Sequence, residues 1–177
     1  MNYEVELVVD ADFVSNFGWV DRIDIIIDQY TPNIILTDVV ENELKNPKIE
    51  HIYSRLKIFI DKGDIKQYSI ISSSEIGQEF ISLSWQSALG DGESACLAYC
   101  KINGGLLGSN NLSDIYKYCL DNDIKIITTA DVLKRAFEDK YISLAEGKEI
   151  LAQMLKKERK IGYRTFEELL KTHKPIL

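Results

Sequence analysis

The chain has 177 residues, with 28 Asp and Glu against 21 Lys and Arg, a net charge of −7 and 45% hydrophobic content. That length suits one domain with a sizeable core, and no apolar run approaches the roughly 20 residues that cross a bilayer. The charge speaks against a protein that coats nucleic acid generally, yet carboxylates gathered at one site could be offset by a bound cation.

The acidic start, Met1-Asn2-Tyr3-Glu4-Val5-Glu6, runs straight into a strand pattern and predicts no secretory signal. Residues 5–9 read as a buried strand that stops at Asp10. Asp12 is placed to cap a short helix beginning at Phe13, and residues 19–30 carry apolar side chains at helical spacing until Pro32-Asn33 breaks the run. Residues 34–36 form a second strand, and Thr37 is an N-cap signal for a helix over 38–45 that Asn46-Pro47 ends. Residues 49–60 are amphipathic, with Ile49, Ile52, Leu56, Phe59 and Ile60 on one face, and Lys62-Gly63-Asp64 is a turn. The polar content of residues 65–71 predicts a third strand at a sheet edge. A helix starting at Ser72-Ser73-Ser74-Glu75 runs to about Ser87, and another spans 92–102 before Asn103-Gly104-Gly105 closes it. Residues 106–109 form a fourth strand, 112–120 a helix and 124–127 a fifth strand. Thr129 then caps a helix over 130–139, a longer helix covers 143–160, and Thr165 caps a last one with Phe166, Leu169 and Leu170 facing in.

Short apolar strands alternating with helices give an α/β fold, a parallel sheet of about five strands covered on both faces. Ligands bind such sheets outside the carboxyl ends of the strands, where Asp10 and Ser109-Asn110-Asn111 fall. Cys96, Cys100 and Cys119 lie in apolar helical patterns and read as small core residues in a reducing, cytoplasmic setting. Trp19 and Trp85 read as packing residues. His51 and His173 have no local Ser or Cys partner that would suggest a triad, and no phosphate loop is present.

The most specific stretch is Leu89-Gly90-Asp91-Gly92-Glu93-Ser94-Ala95-Cys96-Leu97-Ala98, a glycine-rich turn that puts Glu93 in the first turn of an apolar helix. The free N–H groups and the positive end of that helix favour a carboxylate there. Asp91 reads as its side-chain cap. Asp10, Glu93 and Glu43 can meet at one edge of the sheet, with Asp12 a further oxygen donor. Glu41 and Glu43 are two apart and face different sides of a helix, so that one of them is solvated. Carboxylate oxygens suit Mg²⁺ or Mn²⁺. Asn111 could complete such a set through its carbonyl oxygen, or Asp114, one turn further on, through its charge. The basic residues Lys156, Lys157, Arg159, Lys160, Arg164, Lys171 and Lys174 crowd the C-terminal segment, and Lys134-Arg135 form a smaller cluster. These read either as a solvated face or as a surface for phosphates.

In their order, four segments resemble the PIN domain, closest to its stand-alone prokaryotic branch associated with toxin–antitoxin pairs. Val8-Val9-Asp10-Ala11-Asp12 is similar to the family's first strand, and Thr37-Asp38-Val39-Val40-Glu41-Asn42-Glu43-Leu44 to its "x-x-V-x-x-E-L" helix, which selects Glu43 over Glu41. The Leu89–Ala98 stretch resembles "L-G-x-G-E-A-x-A-I-x-L-A", and Ile127-Thr128-Thr129-Ala130-Asp131-Val132-Leu133-Lys134-Arg135-Ala136 resembles the glycine-threonine and helix at the domain's end. The resemblance spans residues 4–145. It implies a three-layer α/β/α sandwich over 1–145. Residues 146–177 extend beyond that core as helices with apolar stripes and many lysines, read first as packed on the same domain and otherwise as a dimer contact or a grip on RNA. The resemblance further implies a Mg²⁺- or Mn²⁺-dependent endoribonuclease with RNA as substrate and no membrane association, often with a small antitoxin protein as partner. Asp10, Glu43, Glu93 and Asp114 would be its catalytic residues, and these with Asn111 its metal ligands. Asn110 and Asn111 stand where the branch usually has paired aspartates. The alternative is a catalytically weakened module that binds RNA or a protein partner, and a small-phosphate enzyme on a similar sheet ranks behind both.

Overall fold

A computed structural model describes residues 5–85 and 89–175. Five parallel strands, β1 (Leu7–Val9), β2 (Ile34–Thr37), β3 (Ile65–Tyr68), β4 (Leu106–Gly108) and β5 (Lys125–Ile127), form one sheet in the order β3-β2-β1-β4-β5. This is the expected α/β/α sandwich with a five-stranded parallel sheet, and β3 is at an edge as its polar content predicts. Strands β1 and β2 are buried along their whole length, which is why they read as unbroken apolar runs. Register pairs Val9 with Gly108, so β1 and β4 end side by side. The chain builds β1, β2 and β3 outward in one direction and returns to lay β4 on the other side of β1. That reversal opens a crevice beyond the carboxyl ends of β1 and β4.

Ten helices are described: α1 (Ala11–Gly18), α2 (Asp24–Tyr30), α3 (Asp38–Leu44), α4 (Glu50–Lys62), α5 (Glu75–Ser84), α6 (Asp91–Asn103), α7 (Leu112–Asp121), α8 (Thr129–Glu138), α9 (Leu144–Lys156) and α10 (Phe166–Thr172). Several boundaries depart from the sequence expectations, for local reasons. The apolar run from Trp19 does not make one helix, because Asp21 at φ 57° breaks it and α2 starts only at Asp24. Helix α1 begins at Ala11 rather than Phe13, and its cap is Asp10, not Asp12. Thr128, not Thr129, caps α8. Its hydroxyl accepts the Asp131 N–H while the Asp131 carboxylate accepts the Thr128 N–H. Helix α9 stops at Lys156 because Glu158 turns left-handed at φ 59°. The expected end of α5 near Ser87 lies outside the described residues. Trp85 is 86% exposed rather than packed. All three cysteines are buried thiols.

One hydrophobic core runs through both layers and continues into the C-terminal helices, where Ile150, Leu151, Met154, Phe166 and Leu169 join it. Phe166 meets Phe137 of α8 edge-on, with ring centres 5.9 Å apart.

Candidate metal centre

Asp10 stands at the C-terminal end of β1, where its N–H still bonds Gly108 O at 3.0 Å and its side chain accepts the Ala11 N–H at 2.7 Å. Ending a central strand puts this carboxylate in the crevice with only 4% of its surface exposed. Burial first, and the nearby Glu93, Asp12 and Glu43 next, outweigh the Ala11 bond and push Asp10 up to about 7.

Glu43 reaches the same crevice from α3 and caps a different helix. Its Oε1 accepts the N–H of Gly92 at 2.8 Å, in the first turn of α6. A Cβ on Gly92 would lie 2.6 Å from Glu43 Oε2, so any larger residue there would push the Glu43 carboxylate aside. Glu93 sits one residue further along and bends back to the Gly90 N–H at 3.2 Å. The end of α6 is therefore served by two carboxylates, and its N-cap is Gly90 rather than Asp91. Glu43 is raised above its ordinary value by partial burial and by Asp91 and Glu93, against the Gly92 bond.

Asp10, Asp12, Glu43 and Glu93 line one cavity of about 400 Å³, with Trp19 and Arg159 in its wall. Asn111 caps α7 and bridges this group to Asp114: its Nδ2 donates to Glu93 Oε1 at 2.7 Å and to Asp114 Oδ2 at 2.8 Å. Its carbonyl oxygen turns instead to the Ser113 hydroxyl, 3.1 Å away. Asn110 points elsewhere. Its carbonyl accepts the Thr129 N–H and its Nδ2 donates to Thr129 Oγ1, both at 3.0 Å. Thr129, free of the capping expected of it, also receives Asn16 Nδ2 at 3.0 Å.

Glu41, the other glutamate of α3, is buried rather than solvated. It holds Tyr53 Oη at 2.6 Å, Gln67 Nε2 at 2.7 Å and Lys45 Nζ at 2.9 Å, and these bonds keep it below its ordinary value against the cost of burial. Sequence reading did not single out Asn16, which no short motif marks, took Thr129 for a helix cap and placed Arg159 only within a basic cluster.

Among the described residues no three His, Cys, Asp or Glu side chains are close enough together to hold an ion as they stand. The chemistry of the donors nonetheless fits a hard divalent cation. Asp10, Glu43 and Glu93 line the same cavity, and after burial the charge of Glu93 is among those that raise both Asp10 and Glu43, a repulsion that a cation would relieve.

The PIN domain family model matches residues 6–175. The chain belongs to the PIN domain family. PIN domains are generally nucleases and typically use divalent metal ions, and the crevice of this PIN domain lies where its sheet topology reverses. The match covers α9 and α10 as well as the sheet. A search of curated proteins finds no match to the chain. Among the described residues no helix is long and apolar enough to cross a membrane.

Proposed function

We propose that this PIN domain is a divalent-metal-dependent endoribonuclease. The observation that carries the reading is that Asp10, Glu43 and Glu93 line one cavity in which burial and neighbouring acids, Glu93 among them, raise both Asp10 and Glu43. In this reading Asp10, Glu43 and Glu93 hold Mg²⁺ or Mn²⁺, with Asp114 adding charge through Asn111. The ion would supply Lewis acidity toward an RNA phosphodiester and lower the pKa of an attacking water. The chain's own part is positional. Gly92 N–H and Asn111 Nδ2 fix the Glu43 and Glu93 carboxylates, and Asp10 is set by the end of its strand.

Cleavage of a labelled single-stranded RNA with Mn²⁺ tests the reading. Asp10→Asn and Glu93→Gln should each lower the rate by at least about a hundredfold. Activity that survives both substitutions would overturn it. The reading extends to a cytoplasmic toxin held by a small antitoxin protein, in which case expression of wild type, but not of Asp10→Asn, arrests growth.

One observation favours a second reading, a weakened module that binds RNA or a partner protein without cutting. Asn110 and Asn111 bring no charge, and both atoms of the Asn110 amide are committed to Thr129. Calorimetric titration with Mn²⁺ separates the two. Micromolar binding accompanied by cleavage removes the second reading, and no binding at millimolar metal removes the first.

A further inference from the structure

The C-terminal segment reaches the metal-centre cavity through a single side chain. Helix α9 closes with Glu158 N–H on Leu155 O at 2.9 Å and Arg159 N–H on Met154 O at 3.0 Å. Those are the paired bonds of a Schellman turn, with glutamate at φ 59° where glycine is usual. The turn delivers Arg159 to the crevice. Its Nε donates to Asn16 Oδ1 at 2.6 Å, and Asn16 is fully buried and itself held by Thr129. A terminal nitrogen of the same guanidinium pairs with Asp12.

This construction is more than a surface ion pair needs. Exposed pairs contribute little to stability, whereas a strained turn and a buried amide here hold one guanidinium in place. Arg159 lines the cavity of Asp10, Glu43 and Glu93, and also a neighbouring cavity of about 400 Å³ lined by Asn110, Asn111 and Lys160. Asp12 and Glu93 are the acids common to both. A polyanion crossing from one cavity to the other passes the acids that would repel it, and Arg159 is the cation at that crossing. Asn16 takes only Nε, so the terminal nitrogens remain to bind an anionic oxygen in the forked geometry that suits phosphate. Asp12, half exposed, occupies that position as an internal anion.

We propose that Arg159 grips a phosphodiester of single-stranded RNA where the strand passes between the two cavities, displacing Asp12 from its guanidinium. The inference rests on the ribonuclease reading for its substrate. Binding of a labelled single-stranded RNA is measured against NaCl concentration in an Asp10→Asn background with Mn²⁺, so that the RNA stays intact. Arg159→Ala should weaken binding roughly tenfold. It should also lower the slope of log affinity against log salt by about 0.7, the loss of one phosphate contact on a single strand. Arg159→Lys should keep the slope. A purely structural tether can change affinity but leaves the slope at the parent value, and that result would overturn the proposal. The two readings fail differently. Wild type that binds RNA without cleaving it, with the slope still dependent on Arg159, removes the ribonuclease and keeps the grip. Wild type that cleaves, with an Arg159→Ala slope equal to the parent's, removes the grip alone. No RNA binding by wild type at low salt removes both.

Discussion

Two polar clusters of this molecule are built on opposite principles. Where α8 meets α10, His173 Nε2 lies 2.7 Å from Asp131 Oδ1, Nδ1 lies 2.8 Å from Tyr163 Oη, and Lys134 Nζ donates to the His173 carbonyl at 2.9 Å. Each buried group there has its partner, and the cluster ties α10 to the core. At the end of β1 the opposite holds. Asp10 has one neutral donor and three acidic neighbours, and burial leaves it near neutrality in its titration. Helix α3 repeats the contrast over two residues, for Glu41 is paired three ways and lowered while Glu43 faces other acids and is raised. Polar groups that serve packing are paired, and those left among like charges are the ones that the proposed cation would neutralise.

Asp10→Asn bears hardest on that contrast. Without metal, folded Asp10 holds its proton more tightly than unfolded Asp10, so the native state loses stability as pH rises from the unfolded value toward and past 7. The shift from 3.8 to about 7 corresponds to up to about 4 kcal/mol. Metal-free wild type should therefore lose stability relative to Asp10→Asn between pH 5 and pH 8, measured by urea denaturation in EDTA. A difference that does not change with pH contradicts the account. His173→Ala takes the partner from Asp131 Oδ1 and from Tyr163 Oη and should cost roughly 2–4 kcal/mol in the same assay while leaving Mn²⁺ affinity unchanged. Lost Mn²⁺ affinity in that variant would join the two clusters after all. Gly92→Ala drives Glu43 off the α6 terminus and should weaken Mn²⁺ binding roughly tenfold by calorimetry, with little change in stability because alanine favours the helix. Glu41→Gln should have the smallest effect, about 1 kcal/mol at neutral pH. Its sign in pH is opposite to that of Asp10. A lowered carboxylate stabilises above its unfolded value and loses that contribution as pH falls through the folded one. Equal urea midpoints for wild type and Glu41→Gln at pH 7 would show that the paired glutamate adds nothing.

Much of the fold is legible in local pattern. The buried strands, the Thr37 and Thr165 caps and the Gly63 and Gly104 helix ends all follow from residues close in sequence. The misplaced boundaries share a cause, since Asp21 and Glu158 adopt left-handed backbone that apolar periodicity does not register. Trp85 shows the limit of composition, because a large aromatic is buried only where neighbouring elements cover it, and here none of the described ones does. In the site, Asp10, Glu43 and Glu93 were nameable because each lies in a short segment with its own helix or strand signal.

By itself the sequence determined the α/β class, the carboxylates at the ends of β1, α3 and α6, and the neutral amides after β4. These depend on periodicity, capping and side-chain chemistry, which act over a few residues. Only the tertiary structure showed that Glu41, which the motif passed over, is buried and paired three ways rather than solvated. It alone set Asn110 on Thr129 and Asn111 between Glu93 and Asp114, and carried Arg159 across 143 positions to Asn16. The physical reason is range. Burial, charge repulsion and long hydrogen bonds depend on distances between elements, and those distances exist only once the sheet has brought β1 and β4 side by side.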